Sequence, residues 1–174
     1  MENKLIIHNI KTIYTSLKKP PVKGKLMNII KQINNPYLVI ENGKIKKIGT
    51  GDFSQDNYDN TKLYDAKQKI MIPGLVDSHT HLVFGGSREH EFNKKIAGVP
   101  YLNILKSGGG ILSTVEATKN SSFDDLYNQA KKSLDEMLLF GVTSVEAKSG
   151  YGLDLETEIK QLNVAKALNE IHPI

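Results

Sequence analysis

Cysteine is absent from this chain, which excludes both a disulfide framework and a thiolate metal site and leaves a cytoplasmic location unopposed. Long apolar runs are missing too. No stretch approaches the roughly 18 apolar residues that would suggest a membrane span, and the opening Met-Glu-Asn-Lys-Leu-Ile-Ile-His lacks the apolar segment of a secretory signal. Neither a membrane partner nor export is expected. Arginine is scarce: Arg88 is the only one among 23 basic residues. Lysine serves everywhere else, so the position that keeps arginine is a candidate for a planar, bidentate fork that an ammonium cannot replace. Charge of one sign does not dominate either. The net charge of +4 comes from lysines interleaved with 19 acids, a solvated surface rather than the basic stripe of a nucleic-acid binder.

What is present suffices for a real core. With 174 residues, 39% hydrophobic and 24% charged, the chain is long enough for one domain, or for a small domain plus part of a larger one. The first 70 or so positions read as short strands: Lys4 to Asn9, Lys11 to Thr15, then, after a lysine-rich loop through Pro20-Pro21, Tyr37 to Glu41 and Lys44 to Ile48. Asn42-Gly43 between the last two is the dipeptide favoured in a two-residue type I′ hairpin. After a Gly/Asp/Asn-rich stretch from Gly49 to Asn60, strands are expected at Lys62 to Asp65 and Lys69 to Ile72. His8 lies among them and reads as structural.

Beyond that point the periodicity turns helical, placing a domain boundary between residues 1–72 and 73–174. Glu89 to Ala97 and Tyr101 to Lys106 are short helical candidates, and Ile111 to Thr118 follows the triplet Gly108-Gly109-Gly110. Such a triplet can offer backbone N–H groups to an anion, but it is more often a flexible connection and it lacks a P-loop lysine, so nucleotide binding is rejected. Ser122 with Asp125 forms an N-cap signature. Phe123, Leu126, Tyr127, Ala130, Leu134, Met137 and Leu138 then recur at helical intervals until Gly141. Val142 to Ala147 reads as a strand, and Asp154 caps a last helix whose apolar positions are Leu155, Ile159, Leu162, Ala165 and Leu168. Strand, helix, strand, helix is the order of parallel α/β units.

The chemistry concentrates in Ile72-Pro-Gly-Leu-Val-Asp-Ser-His-Thr-His-Leu82. Leu75 to Val83 reads as a buried strand entered through Pro73-Gly74, and alternation along a strand puts Asp77, His79 and His81 on one side. Two imidazoles on one side can share a metal ion. The spacing by itself leaves a solvated or hydrogen-bonded histidine pair equally open. For Arg88, in the loop after this strand, an ordinary surface arginine and a carboxylate-binding fork are equally open. For Tyr151, between two glycines, residue pattern alone favours a packing aromatic in a turn. Glu146 and Lys148 read as a buried ion pair or a strand end, and His90 as an exposed loop residue.

Three further segments, Leu82-Val-Phe-Gly-Gly-Ser-Arg-Glu89, Ser107-Gly-Gly-Gly-Ile-Leu-Ser-Thr114 and Lys148-Ser-Gly-Tyr-Gly-Leu153, stand with the His-Thr-His stretch. Together they resemble the imidazolonepropionase family of the metal-dependent amidohydrolases, over the front part of what a member contains. The resemblance implies an α/β fold: the start of an amidohydrolase (β/α)8 barrel, about two β/α units, behind a small β-sandwich-type domain. It implies hydrolysis of the cyclic amide of 4-imidazolone-5-propanoate to N-formimidoyl-L-glutamate. It also implies one zinc or iron ion on His79 and His81 and substrate contacts from Arg88, Tyr151 and, more weakly, Tyr101. Two β/α units cannot close a barrel, so their apolar faces would be covered by other copies, by a missing segment or not at all, and a homo-oligomer is expected. A carbamylated Lys148 is not expected, because that residue comes from a later strand in dinuclear relatives. The remaining metal ligands and the proton-handling carboxylate would also come from later strands. No catalytic residue is therefore assigned within these residues, which alone are expected to be inactive and to bind metal weakly. Other readings are an amidohydrolase with another substrate, such as that of a dihydroorotase or a deacetylase, and a truncated, non-catalytic binding or assembly protein.

Overall fold

A computed structural model of the chain describes residues 4–17, 21–51, 53 and 61–174. The first three residues, most of the lysine-rich loop before Pro21 and most of the stretch from Gly49 to Asn60 lie outside the described residues. Two compact units are present, Met1–Pro73 and Gly74–Ile174.

The first unit carries two sheets. Strands β1 (Lys4–His8), β4 (Pro36–Glu41), β5 (Lys44–Thr50) and β6 (Lys62–Asp65) form one, in the order β5-β4-β1-β6. Strands β2 (Thr12–Ser16), β3 (Ile30–Asn34) and β7 (Ile70–Met71) form the other, in the order β3-β2-β7. The β4–β5 turn is the expected hairpin: Glu41 pairs with Lys44, and Asn42 and Gly43 have φ of 51° and 74°. Positive φ at both central residues matches the right-handed twist of the flanking strands. One core cluster, Ile10, Ile13, Leu38 and Ala66, draws residues from both sheets. Strand β3 was not anticipated. Only Ile33 along it is even partly buried, so no alternation marks it in the sequence.

In the second unit β8 (Leu75–Thr80) and β9 (Val142–Ala147) pair in parallel, with Leu75 opposite Val142 and Thr80 opposite Ala147. Between them run α1 (Glu89–Ile96), α2 (Tyr101–Lys106), α3 (Ile111–Asn120) and α4 (Phe123–Leu139), and α5 (Leu155–Ile171) follows β9. Helix α4 starts at a complete capping box, in which Asp125 N–H donates to Ser122 Oγ at 3.1 Å and Ser122 N–H donates to Asp125 Oδ2 at 3.3 Å. It ends before Gly141, whose φ of 86° only glycine adopts freely. Leu126, Ala130 and Leu134 from α4 meet Leu82, Val83, Val164 and Leu168 in a single core.

Two expectations need correction. Strand β8 is shorter than Leu75 to Val83 and is not buried: Leu75 is 48% and Val76 68% exposed, because β9 is its only partner among the described strands. Helix α5 turns a different stripe inward. Thr157, Gln161, Val164 and Leu168 are its buried residues, while Leu155, Ile159 and Leu162 are exposed. A helix with apolar residues on two sides does not reveal from its own sequence which side meets the core. No helix among the described residues is long and apolar enough to cross a membrane.

Candidate metal and substrate site

The pleat of β8 gives Asp77 and His79 the same side, and the strand ends at Thr80, whose carbonyl accepts the Lys148 N–H at 2.8 Å. His81 lies one residue past that end. Its ring still falls beside that of His79, with centroids 5.8 Å apart and planes at 66°. Asp77 turns its carboxylate back to the chain, where Oδ1 accepts the His79 N–H at 3.1 Å.

The loop after β9 closes over His81. The Tyr151 ring lies 5.1 Å from the His81 imidazole and 5.9 Å from Phe84. Gly150, at φ 137°, lies so near that a Cβ built on it would stand 3.0 Å from His81 Cε1 and 3.4 Å from Nδ1. Gly150 is thus a glycine for two reasons, its backbone angle and the imidazole edge against it. His81 Nδ1 is buried without a hydrogen-bond partner, and a buried polar atom left unpaired costs about 1–3 kcal/mol.

Glu146 and Lys148 form an ion pair at 2.6 Å, but in the open: the Glu146 side chain is 58% exposed, so the expectation of a buried pair is corrected. The Lys148 hydrogen bond and its charge, aided by His79, hold the Glu146 carboxyl below its ordinary range. Screening by water leaves such an exposed pair little weight in stability.

The structure therefore brings His79, His81 and Tyr151 together. Arg88 and Tyr101 are placed elsewhere, on the helical segment between the two strands. Arg88 is the N-cap residue of α1, partly exposed, and makes no ion pair with a described residue. Tyr101 opens α2, with its hydroxyl 3.5 Å from the position of a Cβ on Gly110. His90 is exposed, as expected. His8, in the first unit, stacks on Phe53 at 5.3 Å beside a cavity of about 360 Å³.

Two acids were not singled out from the sequence. Glu91 is 1% exposed, and its Oε1 accepts the Gly110 N–H at 2.6 Å. The anion facing the glycine triplet is thus the protein's own carboxylate. Glu158, near the start of α5, accepts the N–H groups of Gly152 at 2.7 Å and Leu153 at 3.0 Å. The sequence signal for Glu158 was a glutamate on the helix that follows a glycine-rich loop, whereas Glu91 lies 19 residues before the Gly110 it bonds, with α2 between them.

His79 and His81 suit a borderline metal such as zinc or iron, since both are imidazoles and one has an unsatisfied buried nitrogen. They are a partial donor set. Among the described residues no group of three or more His, Asp or Glu side chains could hold a metal ion.

No family model matches the chain. Among curated proteins it is 54% identical over 155 residues to the imidazolonepropionase of Streptococcus pyogenes serotype M6 and 55% identical over 156 to that of Streptococcus sanguinis, each match covering 88% of the chain and 37% of the relative. It is 50% identical over 175 residues to the imidazolonepropionase of Fusobacterium nucleatum, covering all of the chain and 42% of the relative. The chain thus spans about two fifths of the length of these relatives. Among solved structures, a guanine deaminase from Bradyrhizobium japonicum matches with a TM-score of 0.60 at 18% identity, covering 96% of this chain and 33% of that one. The guanine deaminase of E. coli matches with a TM-score of 0.57 at 15% identity, over 95% and 35%. An atrazine chlorohydrolase from Arthrobacter aurescens, complexed with zinc and atraton, matches with a TM-score of 0.53 at 17% identity, over 94% and 33%. These likenesses show the fold, a mixed α/β arrangement shared with proteins of the amidohydrolase fold.

Proposed function

We propose, from a chain related by sequence to the imidazolonepropionases over about two fifths of their length, that it forms the metal- and substrate-holding front of such an enzyme. The reaction is hydrolysis of the cyclic amide of 4-imidazolone-5-propanoate: water adds to the ring carbonyl carbon, the C–N bond breaks, and the nitrogen leaves with a proton as N-formimidoyl-L-glutamate forms. In this reading residues 1–72 are part of a composite β-sandwich and residues 73–174 open a (β/α)8 barrel. A site at the C-terminal end of β8 and in the loop after β9 follows the rule for such barrels.

The observation that carries the reading is the His79–His81 pair at the end of β8, with His81 Nδ1 buried and unpartnered under Tyr151. His79 and His81 would hold one zinc or iron ion. When bound, that ion supplies Lewis acidity that polarises an amide carbonyl and acidifies water near neutral pH. The Arg88 guanidinium, unpaired among the described residues, grips the propionate carboxylate with two parallel N–H donors. Tyr151 lays its ring beside the reacting heterocycle, and Tyr101 contributes from α2. The remaining ligands and the proton carrier belong to later strands of a longer polypeptide, so residues 1–174 alone do not turn over substrate. The enzyme works in the cytoplasm as a homo-oligomer.

An assay of the polypeptide extended to the length of its relatives tests this. Ring opening of 4-imidazolone-5-propanoate is expected, with rings lacking the propionate turned over far more slowly. Equal rates on dihydroorotate or another ring without that arm would shift the assignment to a different cyclic-amide hydrolase. Ring opening by the 174-residue chain itself would overturn the division of the site.

A further inference from the structure

An acid at the start of a helix ordinarily faces solvent, where it complements the helix dipole. Glu158 does not. It turns back beneath the loop that precedes α5, and a single oxygen, Oε1, accepts both the Gly152 N–H at 2.7 Å and the Leu153 N–H at 3.0 Å. The fit allows no slack. A Cβ on Gly152 would stand 2.8 Å from the Glu158 backbone nitrogen and 3.0 Å from Oε1, and Leu153 holds a positive φ of 57° to bring its N–H round.

The far half of this loop is the part that touches the candidate site. Gly150 lies against the His81 imidazole edge, and Tyr151 stacks obliquely between His81 and Phe84. Gly152, the first anchored residue, directly follows Tyr151, which lies against His81. We propose that Glu158 is a positioning residue: by fixing Gly152 and Leu153, it holds Gly150 and Tyr151 against His81 and so sets the orientation of that imidazole. The idea that His81 is a metal ligand rests on the reading above; the positioning itself does not.

Two observations support a held carboxylate rather than an incidental contact. Burial should raise the Glu158 carboxyl, yet the Ser149 side chain and the N–H groups of Leu153, Gly152 and Gly150 bring it below its usual range. The same device recurs at the other glycine-rich loop, where buried Glu91 accepts the Gly110 N–H and Tyr101 lies alongside.

The test compares Glu158→Ala and Glu158→Gln with the unaltered 174-residue chain. Acylation of His81 by diethyl pyrocarbonate is followed by mass spectrometry, with exposed His90 as the internal reference. Binding of cobalt(II) is followed by calorimetry and by its visible spectrum. Without the carboxylate, His81 should react several-fold faster relative to His90, and cobalt affinity should fall about tenfold or more, the usual effect of losing an outer-shell support. Glu158→Gln keeps an acceptor oxygen and should recover most of both losses. If Glu158→Ala does not fold, Glu158→Asp, which withdraws the carboxylate by one methylene, takes its place. An unchanged His81 to His90 ratio in the folded variant would overturn the proposal. Absence of cobalt binding by the unaltered chain would bear only on how far its partial donor set can hold a metal, and the acylation ratio alone would then decide this proposal.

Discussion

The edge of the His81 imidazole is bounded by backbone: Gly150 is so close that a methyl group there would stand 3.0 Å from His81 Cε1. Gly150→Ala therefore tests how far the ring tolerates displacement. Alanine is disfavoured at φ 137° and its Cβ collides with the ring. Weaker zinc or cobalt binding than in the unaltered chain is expected, with His81→Ala weaker still. Calorimetry reads both. Unchanged affinity in Gly150→Ala would mean that His81 is not held by this loop.

Asp154 offers a pH dependence with a definite sign. Its Oδ1 accepts the Thr157 N–H at 2.8 Å and its Oδ2 pairs with Lys119 at 2.9 Å. The Thr157 N–H, then the Lys119 bond, outweigh desolvation and bring its pKa down to about 2. Because the folded value lies below the unfolded value of about 3.9, the stabilisation is present above the unfolded pKa and is lost as pH falls towards the folded one. Asp154→Asn keeps a cap acceptor but does not titrate. Its melting temperature should decline less steeply with acid between about pH 4 and 2 than that of the unaltered chain. Parallel curves would remove Asp154 from the acid response.

Local rules made part of this molecule legible. Asn42-Gly43 and the Ser122–Asp125 box are short, and each carries its own geometry, so both appeared where expected. The long α4 stripe and the order of β8, α4, β9 and α5 follow from periodicity over many residues. The nearness of the His79 and His81 rings follows from their spacing, although His81 lies just past the strand. What stayed hidden depends on the rest of the fold. Strand β3 has almost no buried side, the inward stripe of α5 is chosen by α4 and β9, and Glu91 and Glu158 meet backbone amides 19 and 6 residues away. A side chain that satisfies a distant amide leaves no repeat to read.

The core of the second unit makes a quantitative contrast. Leu126 is 1% exposed among Ala130, Leu134, Val164 and Leu168. Leu126→Ala should destabilise the chain by about 2–5 kcal/mol, through lost burial and the cavity left behind. Leu155 is 79% exposed, and at concentrations low enough to keep the chain monomeric Leu155→Ala should change stability by less than about 0.5 kcal/mol. Urea unfolding followed by far-ultraviolet circular dichroism measures both. Similar losses would mean that Leu155 is covered in solution.

That covering is itself testable. Leu155, Ile159 and Leu162 of α5 are exposed, as are Leu75 and Val76 of β8, and bare apolar side chains of this size favour association. The 174-residue chain should self-associate in sedimentation velocity, with its mean mass rising with concentration. Ile159→Lys with Leu162→Lys should reduce that rise. A monomer at every concentration would show that these residues are tolerated in water.

Arg88 carries the specificity claim, and lysine is the informative replacement. Both side chains keep a positive charge, but only guanidinium presents two parallel donors to a carboxylate. If Arg88 holds the propionate, Arg88→Lys in a polypeptide as long as the relatives should raise KM about tenfold or more, as expected for losing a charged hydrogen bond of about 1.5–3 kcal/mol. Turnover at saturation should change much less, because the carboxylate lies away from the bond that breaks. The same substitution should leave a substrate without the propionate almost unaffected, and this separates recognition of the arm from a general disturbance of α1. A loss of kcat with KM unchanged would place Arg88 in the chemistry instead. Equal losses on both substrates would make it a residue that merely supports the helix.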